Sequence, residues 1–190
     1  MRKEALFIIF IIASIYPMIS SAQEVVLKSN LLYWSTGTPN IGIELAAGKK
    51  YSINISGGYM PFEYSENKKL KHWVIQPELR YWPCETFNGH FFGIHALGGQ
   101  FNSGGIKMPF NIFPSLEKNR YQGWGAGAGI SYGYHLMLSR RWSLEFSLGL
   151  GYAYLKYKKY KCVQCGGPQK EDHTNYLGPT KLAINLIYVL

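Results

Sequence analysis

The 190-residue chain has little charge, few cysteines and no long apolar run after its N-terminal segment. Charged residues make up only 16% of it and aromatic residues also reach 16%, which excludes a disordered chain, since such chains are rich in charge and poor in aromatics. Because no later stretch holds about 18 consecutive apolar residues, no transmembrane helix is predicted. The 21 glycines and many aromatic residues are poor helix formers. The composition therefore indicates an all-β protein.

Residues 1–22 have the features of a secretory signal peptide. Two basic residues open the segment, residues 6–15 are nearly unbroken apolar, and small residues precede the expected cut at Ala22–Gln23. A membrane anchor is the alternative, but the run is short and Pro17 interrupts its end. We therefore expect export and cleavage, leaving residues 23–190 as one domain. Removing two bases and one acid lowers the formal charge from +9 to +8.

The mature chain repeatedly alternates between two kinds of side chain. From residue 142 to 154, Leu, Phe and Tyr occupy one parity while Ser, Glu and Gly occupy the other, which is the period of a strand with two unlike faces. This run is long for a soluble strand and suits a tilted transmembrane strand. No helix is predicted in the mature chain. Eight strands are predicted, at residues 25–34, 40–47, 51–59, 73–81, 90–101, 121–136, 142–154 and 181–190.

The connections between these strands alternate in length. Those after the second, fourth and sixth strands are short, whereas those after the third, fifth and seventh are longer, at residues 61–71, 102–120 and 156–175. Short periplasmic turns and longer external loops are typical of outer-membrane barrels. An even number of strands also places both termini in the periplasm, as export through a signal peptide requires.

The side chains at the polar positions of the strands are mostly small, and this distinguishes a membrane barrel from the main alternative, a soluble barrel that carries a ligand. A water-facing surface is about one quarter charged, whereas a narrow eight-stranded interior needs small side chains. The few charges at these polar positions are expected to pair inside the lumen, because an unpaired buried charge is costly; the alternative is that some sit near strand ends in water. They are Lys28, Glu44, Glu78, Arg80, Glu145 and Lys181. We predict a monomeric, eight-stranded antiparallel up-and-down transmembrane β-barrel.

Several longer motifs are spread over the mature chain. They are K-S-N-L-L-Y-W at 28–34, T-P-N-I-G-I-E at 38–44, H-W-V-I-Q-P-E-L-R-Y-W at 72–82, F-N-G-H-F-F-G-I-H at 87–95, G-W-G-A-G-A-G-I-S-Y-G-Y at 123–134, Y-x-C-x-x-C-G at 160–166 and G-P-T-K at 178–181. Together they resemble a family of small secreted proteins of unknown function from Gram-negative anaerobes. The resemblance implies an eight-stranded outer-membrane barrel. It also implies cell-surface biology, since some members are linked to fimbrial loci, but it implies no activity.

The cysteine pair Cys162 and Cys165 is spaced like half of a zinc knuckle. His173 would supply a third ligand, but a structural zinc site needs four. Cys84 is expected at the opposite end of the barrel, about 30 Å away across the bilayer. A disulfide within the pair is favoured in an oxidising periplasm, with free thiols, a metal site and redox catalysis as alternatives. No metal or other cofactor is predicted, and Cys84 is left as an odd thiol.

An enzyme on the rim of the barrel, a lipid-modifying hydrolase or acyltransferase, is the alternative function. That chemistry needs a Ser hydrogen-bonded to a His that an acid orients. The candidate serines are expected in loops or in the lumen, as Ser131 and Ser147, and the histidines His95 and His135 also face the lumen. We therefore expect a protein without enzymatic activity.

The longer connections are basic, and one of them interleaves Tyr with Lys156, Lys158, Lys159 and Lys161. Such a patch suits the phosphates of lipopolysaccharide or an acidic glycan. Nucleic acid is the generic alternative, but a surface location argues against it, and a solvated rim without a ligand is the remaining alternative. We expect an outer-membrane anchor or interaction protein whose partners are lipopolysaccharide, a fimbrial component or a glycan.

Overall fold

The computed structural model describes residues 24–61, 63–64, 68–105, 119–160 and 170–190. The predicted signal peptide, Cys162, Cys165 and Lys161 lie outside the described residues.

Within these ranges the chain forms nine strands and one short helix. They are β1 (Val25–Asn30), α1 (Leu31–Ser35), β2 (Asn40–Ala46), β3 (Tyr51–Met60), β4 (Glu63–Tyr64), β5 (Lys68–Tyr81), β6 (Gly89–Gly104), β7 (Arg120–Met137), β8 (Trp142–Tyr160) and β9 (Lys170–Val189). Within the described residues, no helix is long and apolar enough to cross a membrane.

Eight of the strands close into a ring. Each strand from β1 to β9, leaving out β4, pairs antiparallel with the next one along the chain, and β1 also pairs with β9. The two-residue β4 pairs with the beginning of β5 at one edge of the ring. The all-β prediction with eight antiparallel strands is therefore confirmed, and neighbours along the chain are neighbours in the sheet.

Alternation along the strands gives the ring two unlike faces. In β7 the even residues from Trp124 to Leu136 face outward and the odd residues face inward, as a strand of period 2 requires. Large apolar side chains occupy the outward face. Ile94 and Ile130 are paired across β6 and β7 and are 67% and 68% exposed. Large apolar side chains thus cover the outside of the ring, and polar side chains line much of its inside.

The first predicted strand is wrong beyond Asn30, and so is the absence of a helix. Residues 31–35 form α1, whose N-terminus is capped by the Asn30 side chain accepting a hydrogen bond from the Leu32 backbone N–H at 3.0 Å. Tyr33 from this helix helps line a small interior cavity and meets the ring wall beside Gly58. The helix therefore lies at one end of the interior.

The strands at that end are longer than predicted. β8 continues to Tyr160 and β9 begins at Lys170, so much of the expected loop at 156–175 belongs to paired strands. β5 likewise begins inside the expected loop at 61–71. Beyond Tyr154 the outward positions of β8 change from apolar residues to Lys156 and Lys158, and residues 171–175 of β9 are polar on both faces. The apolar outward alternation that marks the other strands therefore ends before these strands do.

An apolar cluster closes the opposite end of the interior, near the short turns. Its members are Val26, Ala46, Trp82, Phe87, Phe91 and Ile187, with Val189 packed against them. The Trp82 ring lies 5.8 Å from the Phe87 ring and 4.9 Å from the Phe91 ring between centroids. Trp82 Nε1 also donates to Ser52 Oγ at 2.8 Å. The cluster is therefore joined to the polar layer above it.

Candidate functional site

Six charged side chains from five strands meet inside the ring. They are Lys28 of β1, Glu44 of β2, Glu78 and Arg80 of β5, Glu145 of β8 and Lys181 of β9. None is more than 6% exposed. Each lies on the inward parity of its strand, and the structure brings all six of these sequence candidates into one cluster, here called the charge network.

Arg80 lies at the centre of the charge network. Its Nη1 lies 2.8 Å from Oε2 of Glu44 and 2.7 Å from Oε2 of Glu145, and its Nε lies 2.6 Å from Oε2 of Glu78. A planar guanidinium with five N–H donors can serve three carboxylates at once, whereas an ammonium cannot present donors in this fork. The guanidinium carbon lies 4.2 Å from the centroid of Phe91, so Arg80 also covers the apolar cluster.

Two lysines complete the charge balance. Lys28 forms ion pairs with both Glu44 and Glu145, and Lys181 Nζ lies 2.6 Å from Oε2 of Glu78. Each of the three carboxylates therefore contacts two cations, and three acids balance three bases. Such neutrality is what a buried ionic cluster requires, because removing charges from water costs several kcal/mol per ion unless partners offset it.

Neutral side chains supply further donors to the carboxylates. Ser52 donates to Glu44, Ser131 to Glu78, and Asn185 Nδ2 to Glu145 Oε1 at 2.8 Å. Sequence reasoning placed Ser131 in the lumen only as a candidate catalytic serine, and it did not identify Ser52 or Asn185 as site residues. The signal lies in strand register, since Asn185 stands directly opposite Glu145 in the β8–β9 pair, and register was not read from the sequence.

A β-bulge in β9 aims two consecutive side chains inward. The pairing with β8 skips Thr180, which lies between Pro179 and Lys181. Proline has no N–H to donate to the ladder, so a bulge is one of the few places a strand accepts it. Thr180 Oγ1 lies 2.9 Å from Nε2 of His95. His95 and His135 are both buried, as their inward parity predicts.

Little open space remains beside the charge network. A cavity of about 30 Å³ is lined by Lys28, Lys181, Asn54 and other polar side chains. A buried water needs about 10–15 Å³ of such space, so the cavity has room for about two water molecules. The charge network and the apolar cluster therefore fill the interior at their two levels.

The outer face is arranged in cross-strand rows over β5 to β9. The row farthest from the short turns, the outer polar row, consists of Lys71, Asn102, Gln122, Lys158 and Glu171. The next, the tryptophan–lysine row, consists of Trp73, Gln100, Trp124, Lys156 and His173. A row nearer the short turns is apolar throughout and consists of Leu79, Ile94, Ile130, Leu150 and Pro179.

A groove of about 740 Å³ lies along the outer polar row and the tryptophan–lysine row. Its lining includes Lys71, Trp73, Trp124, Lys156 and Lys158. The groove therefore combines three cations with two indole rings.

One ion pair lies at the edge of the groove. Lys158 Nζ lies 2.5 Å from Oε1 of Glu171, and both side chains are about half exposed. The hydrogen bond between them raises the pKa of the Lys158 ammonium and lowers the pKa of the Glu171 carboxyl.

The four lysines predicted to contact a polyanion do not share one face. Lys156 and Lys158 point outward, whereas alternation turns Lys159 to the opposite face, where its Nζ lies 5.9 Å from the centroid of the Tyr121 ring. Lys161 lies outside the described residues. Lys71 and Trp73 on β5 and Trp124 on β7 lie in the same cross-strand rows as Lys156 and Lys158. The sequence alone does not give this arrangement, because it depends on the register of the strands.

The sequence matches the model of the family described as "Protein of unknown function (DUF3575)" over residues 6–190. The chain belongs to this family. The match includes every strand of the ring, so the charge network and the groove both lie within the DUF3575 domain. The predicted resemblance to a family of unknown function is thereby confirmed. Comparison with curated proteins finds no match.

The candidate residues for other chemistry are dispersed. Ser131 donates to a carboxylate, His95 faces Thr180, and the His135 ring packs 5.9 Å from Trp82 between centroids. Cys84 is an exposed free thiol in the turn after β5. Over the described ranges, no three His, Cys, Asp or Glu side chains are grouped in a way that would hold a metal ion.

Proposed function

We propose that this DUF3575 protein is an up-and-down β-barrel that spans the bacterial outer membrane as a structural anchor and contacts surface partners, without enzymatic activity. The observation that carries the proposal is the apolar outward face. Exposing apolar surface to water costs about 25 cal/mol per Å², and monomeric soluble proteins rarely expose contiguous patches beyond a few hundred Å². Contact with lipid removes that cost around the whole ring.

Aromatic side chains flank the apolar rows on both sides, as at the two interfaces of a membrane. On β7, Trp124 faces outward at one border, and Tyr132 and Tyr134 face outward at the other. Tyr134 follows Trp124 by ten positions. At ~3.3 Å per residue and a tilt of ~40°, they rise about 25 Å, which matches the apolar band of outer-membrane barrels. β3 repeats the pattern with Tyr51 and Tyr59 at its ends.

The filled interior favours an anchor over a pore. The charge network is neutral and satisfied by its own members, and the apolar cluster lies directly beneath it. Ions crossing the ring would have to displace these contacts at a cost of several kcal/mol. A rigid, closed ring suits a protein whose contacts are made at its ends.

The end of the ring that carries the groove is proposed to face outside the cell. It carries the longer connections, which in outer-membrane barrels are extracellular, and the outward lysines Lys71, Lys156 and Lys158 lie there. Lipopolysaccharide, a fimbrial component or an acidic surface glycan would meet this end. Positive charge attracts such anionic partners.

Heat-modifiability tests the proposal. Residues 23–190 are refolded in detergent, and gel migration is compared before and after boiling. We expect a clear shift together with a β-rich circular dichroism spectrum, because a closed barrel resists the gel detergent until it is heated. Absence of a shift, with good solubility in detergent-free buffer, would contradict the proposal and favour a soluble ligand-binding ring.

The absence of enzymatic activity has its own test. Lipid A is extracted from cells with and without the protein and compared by mass spectrometry. An unchanged set of acyl chains and phosphates is expected. A mass change that single Ser or His substitutions abolish would favour the lipid-modifying hydrolase or acyltransferase instead.

A further inference from the structure

We infer that the groove binds the phosphorylated headgroup of a glycolipid in the outer leaflet. The inference deepens the proposed function and rests on it, because the groove can meet such a lipid only if the ring spans the membrane.

The cations of the groove are placed on two of its sides. Lys156 and Lys158 are two residues apart on β8 and therefore point the same way, about 7 Å apart along the strand. Lys71 lies on β5, three strand spacings away, which is about 14 Å across the sheet. Ammonium groups at both sides of the groove suit a headgroup with more than one phosphate, such as a phosphorylated disaccharide.

Indole rings and amides lie between these cations. Trp73 and Trp124 flank Gln100 in one row and are 43% and 45% exposed, so their rings are available at the surface. Trp prefers the membrane interface, where an apolar ring and a polar N–H meet different surroundings. Asn102 and Gln122 add amide groups in the outer polar row, and amides both donate and accept hydrogen bonds. Sugar hydroxyls require such partners.

The apolar band begins directly beside the groove, and this arrangement favours a lipid over a soluble anion. Trp73 and Ile75 face outward in succession along β5, and Trp124 is followed on β7 by Ala126 and Ala128. A second groove, of about 590 Å³, lies farther along the same face and is lined mainly by apolar side chains such as Ile94 and Ile130. A headgroup bound at the cations would lay its acyl chains along this surface. Free phosphate would use none of it.

The experiment measures binding to the full mature protein in detergent by native mass spectrometry. The probes are bisphosphorylated lipid A, its enzymatically dephosphorylated form, and inorganic phosphate. The variant is Lys156→Gln with Lys158→Gln. The matched control is Lys49→Gln with Lys50→Gln, in the short turn after β2 at the other end of the ring. Each sample is first tested for its heat shift.

Bisphosphorylated lipid A should bind the wild type and the Lys49/Lys50 control equally, and the Lys156/Lys158 variant at least tenfold more weakly. Dephosphorylated lipid A should also bind at least tenfold more weakly. Equal binding of the phosphorylated and dephosphorylated lipids would overturn the inference, and so would equal losses in the Lys156/Lys158 and Lys49/Lys50 variants. If the heat shift is retained in these samples, the proposal that the ring spans the membrane still stands. Inorganic phosphate binding as tightly as the lipid would also overturn it. Absence of the heat shift in the wild type would overturn both the glycolipid inference and the proposed function.

A second variant probes the aromatic part of the groove. Trp73→Leu with Trp124→Leu removes both indoles, and Trp142→Leu is the control at the opposite border. We expect a several-fold loss of lipid A binding in the first variant and none in the control. Equal binding in both would exclude the indoles from the site.

Discussion

Arg80 and Glu145 form a two-point ion pair across the interior, with Nη1–Oε2 at 2.7 Å and Nη2–Oε1 at 3.1 Å. Their strands, β5 and β8, are separated in the sheet by β6 and β7, so the pair joins walls that share no backbone hydrogen bonds. Both side chains are fully buried. Loss of either partner therefore leaves a charge without compensation.

Replacing Arg80 with Gln should destabilise the ring by about 3–5 kcal/mol, because three buried carboxylates lose their shared partner. The free energy of unfolding is measured with urea in lipid vesicles, using tryptophan fluorescence. The control Lys49→Gln, in an exposed turn, should leave the unfolding midpoint unchanged. A loss below about 1 kcal/mol for Arg80→Gln would show that water or rearrangement compensates the carboxylates.

Lys28→Met and Glu145→Gln should be strongly coupled. Each single change leaves the charge network with an excess of one charge. The double change removes one base and one acid, so two bases again balance two acids. We expect the double variant to lose less stability than the two singles together, with a coupling energy of about 1–3 kcal/mol. The same urea titrations give all four free energies. Additivity within about 0.5 kcal/mol would contradict a shared network.

Gly133→Ala should disturb the apolar cluster. A Cβ at this position would lie 2.6 Å from Cε1 of Phe91 and 2.6 Å from the Phe146 carbonyl oxygen, so the ring and the backbone would have to move. A cost of about 1–3 kcal/mol is expected for such overpacking. Gly98→Ala is the matched control, since no heavy atom lies within 4 Å of its Cβ. Similar unfolding free energies for the two variants would refute the tight fit.

Ile130→Arg distinguishes lipid from water around the ring. In a bilayer, a charge near the midplane of the outer face costs about 2–4 kcal/mol. In water, the same change at a 68% exposed position would alter stability by no more than about 0.5 kcal/mol. Gln122→Arg, in the outer polar row, is the control and should be nearly neutral. Equal stability of both variants in vesicles would place Ile130 in water.

Glu171→Gln should strengthen binding of bisphosphorylated lipid A by roughly two- to fivefold, because it frees Lys158 from an exposed ion pair. The pair lowers the pKa of Glu171, so the carboxylate stays charged at neutral pH and is protonated only as the pH falls through that lowered value. The lipid phosphates also lose charge as the pH falls, since their second pKa is about 6, and they do so equally for both proteins. The difference in affinity between Glu171→Gln and the wild type should therefore be full at neutral pH and shrink as the pH falls through the lowered Glu171 pKa. Glu85→Gln, in the turn after β5, is the control. Unchanged or weaker binding by Glu171→Gln would contradict the role of Lys158.

Alternation predicted which side chains face inward because a period of two depends on neighbours along the chain alone. Lys28 and Lys181 are on the inward parity of strands at opposite ends of the sequence, and no further knowledge was needed to place them inside. Their partners could not be predicted in this way. Arg80 and Glu145 are 65 residues apart, and only the register of several strand pairs decides that they meet.

Three features were missed, each for a different reason. Val26 and Ile187 are apolar residues at inward positions of their strands. They are a sequence signal for the apolar cluster, and the prediction of a polar interior did not use it. Asn30 is a favoured helix cap, but the chain after it reads as a continuing apolar strand. The outward positions of β8 change to lysine at Lys156 and Lys158, and residues 171–175 of β9 are polar on both faces, since strands that extend past an apolar band need no apolar outward face.

Spin labels along β7 test the membrane-spanning account most directly. Single cysteines are placed at the outward positions from Gln122 to Leu136 and at the inward Ser131, in a protein whose native cysteines are replaced by Ser. Accessibility to oxygen, which concentrates in lipid, is compared with accessibility to a water-soluble nickel complex in vesicles. The account predicts that oxygen accessibility peaks near Ile130 and Ala128, that nickel accessibility rises at Gln122, and that Ser131 is protected from both. High nickel accessibility along the whole outward face would contradict it.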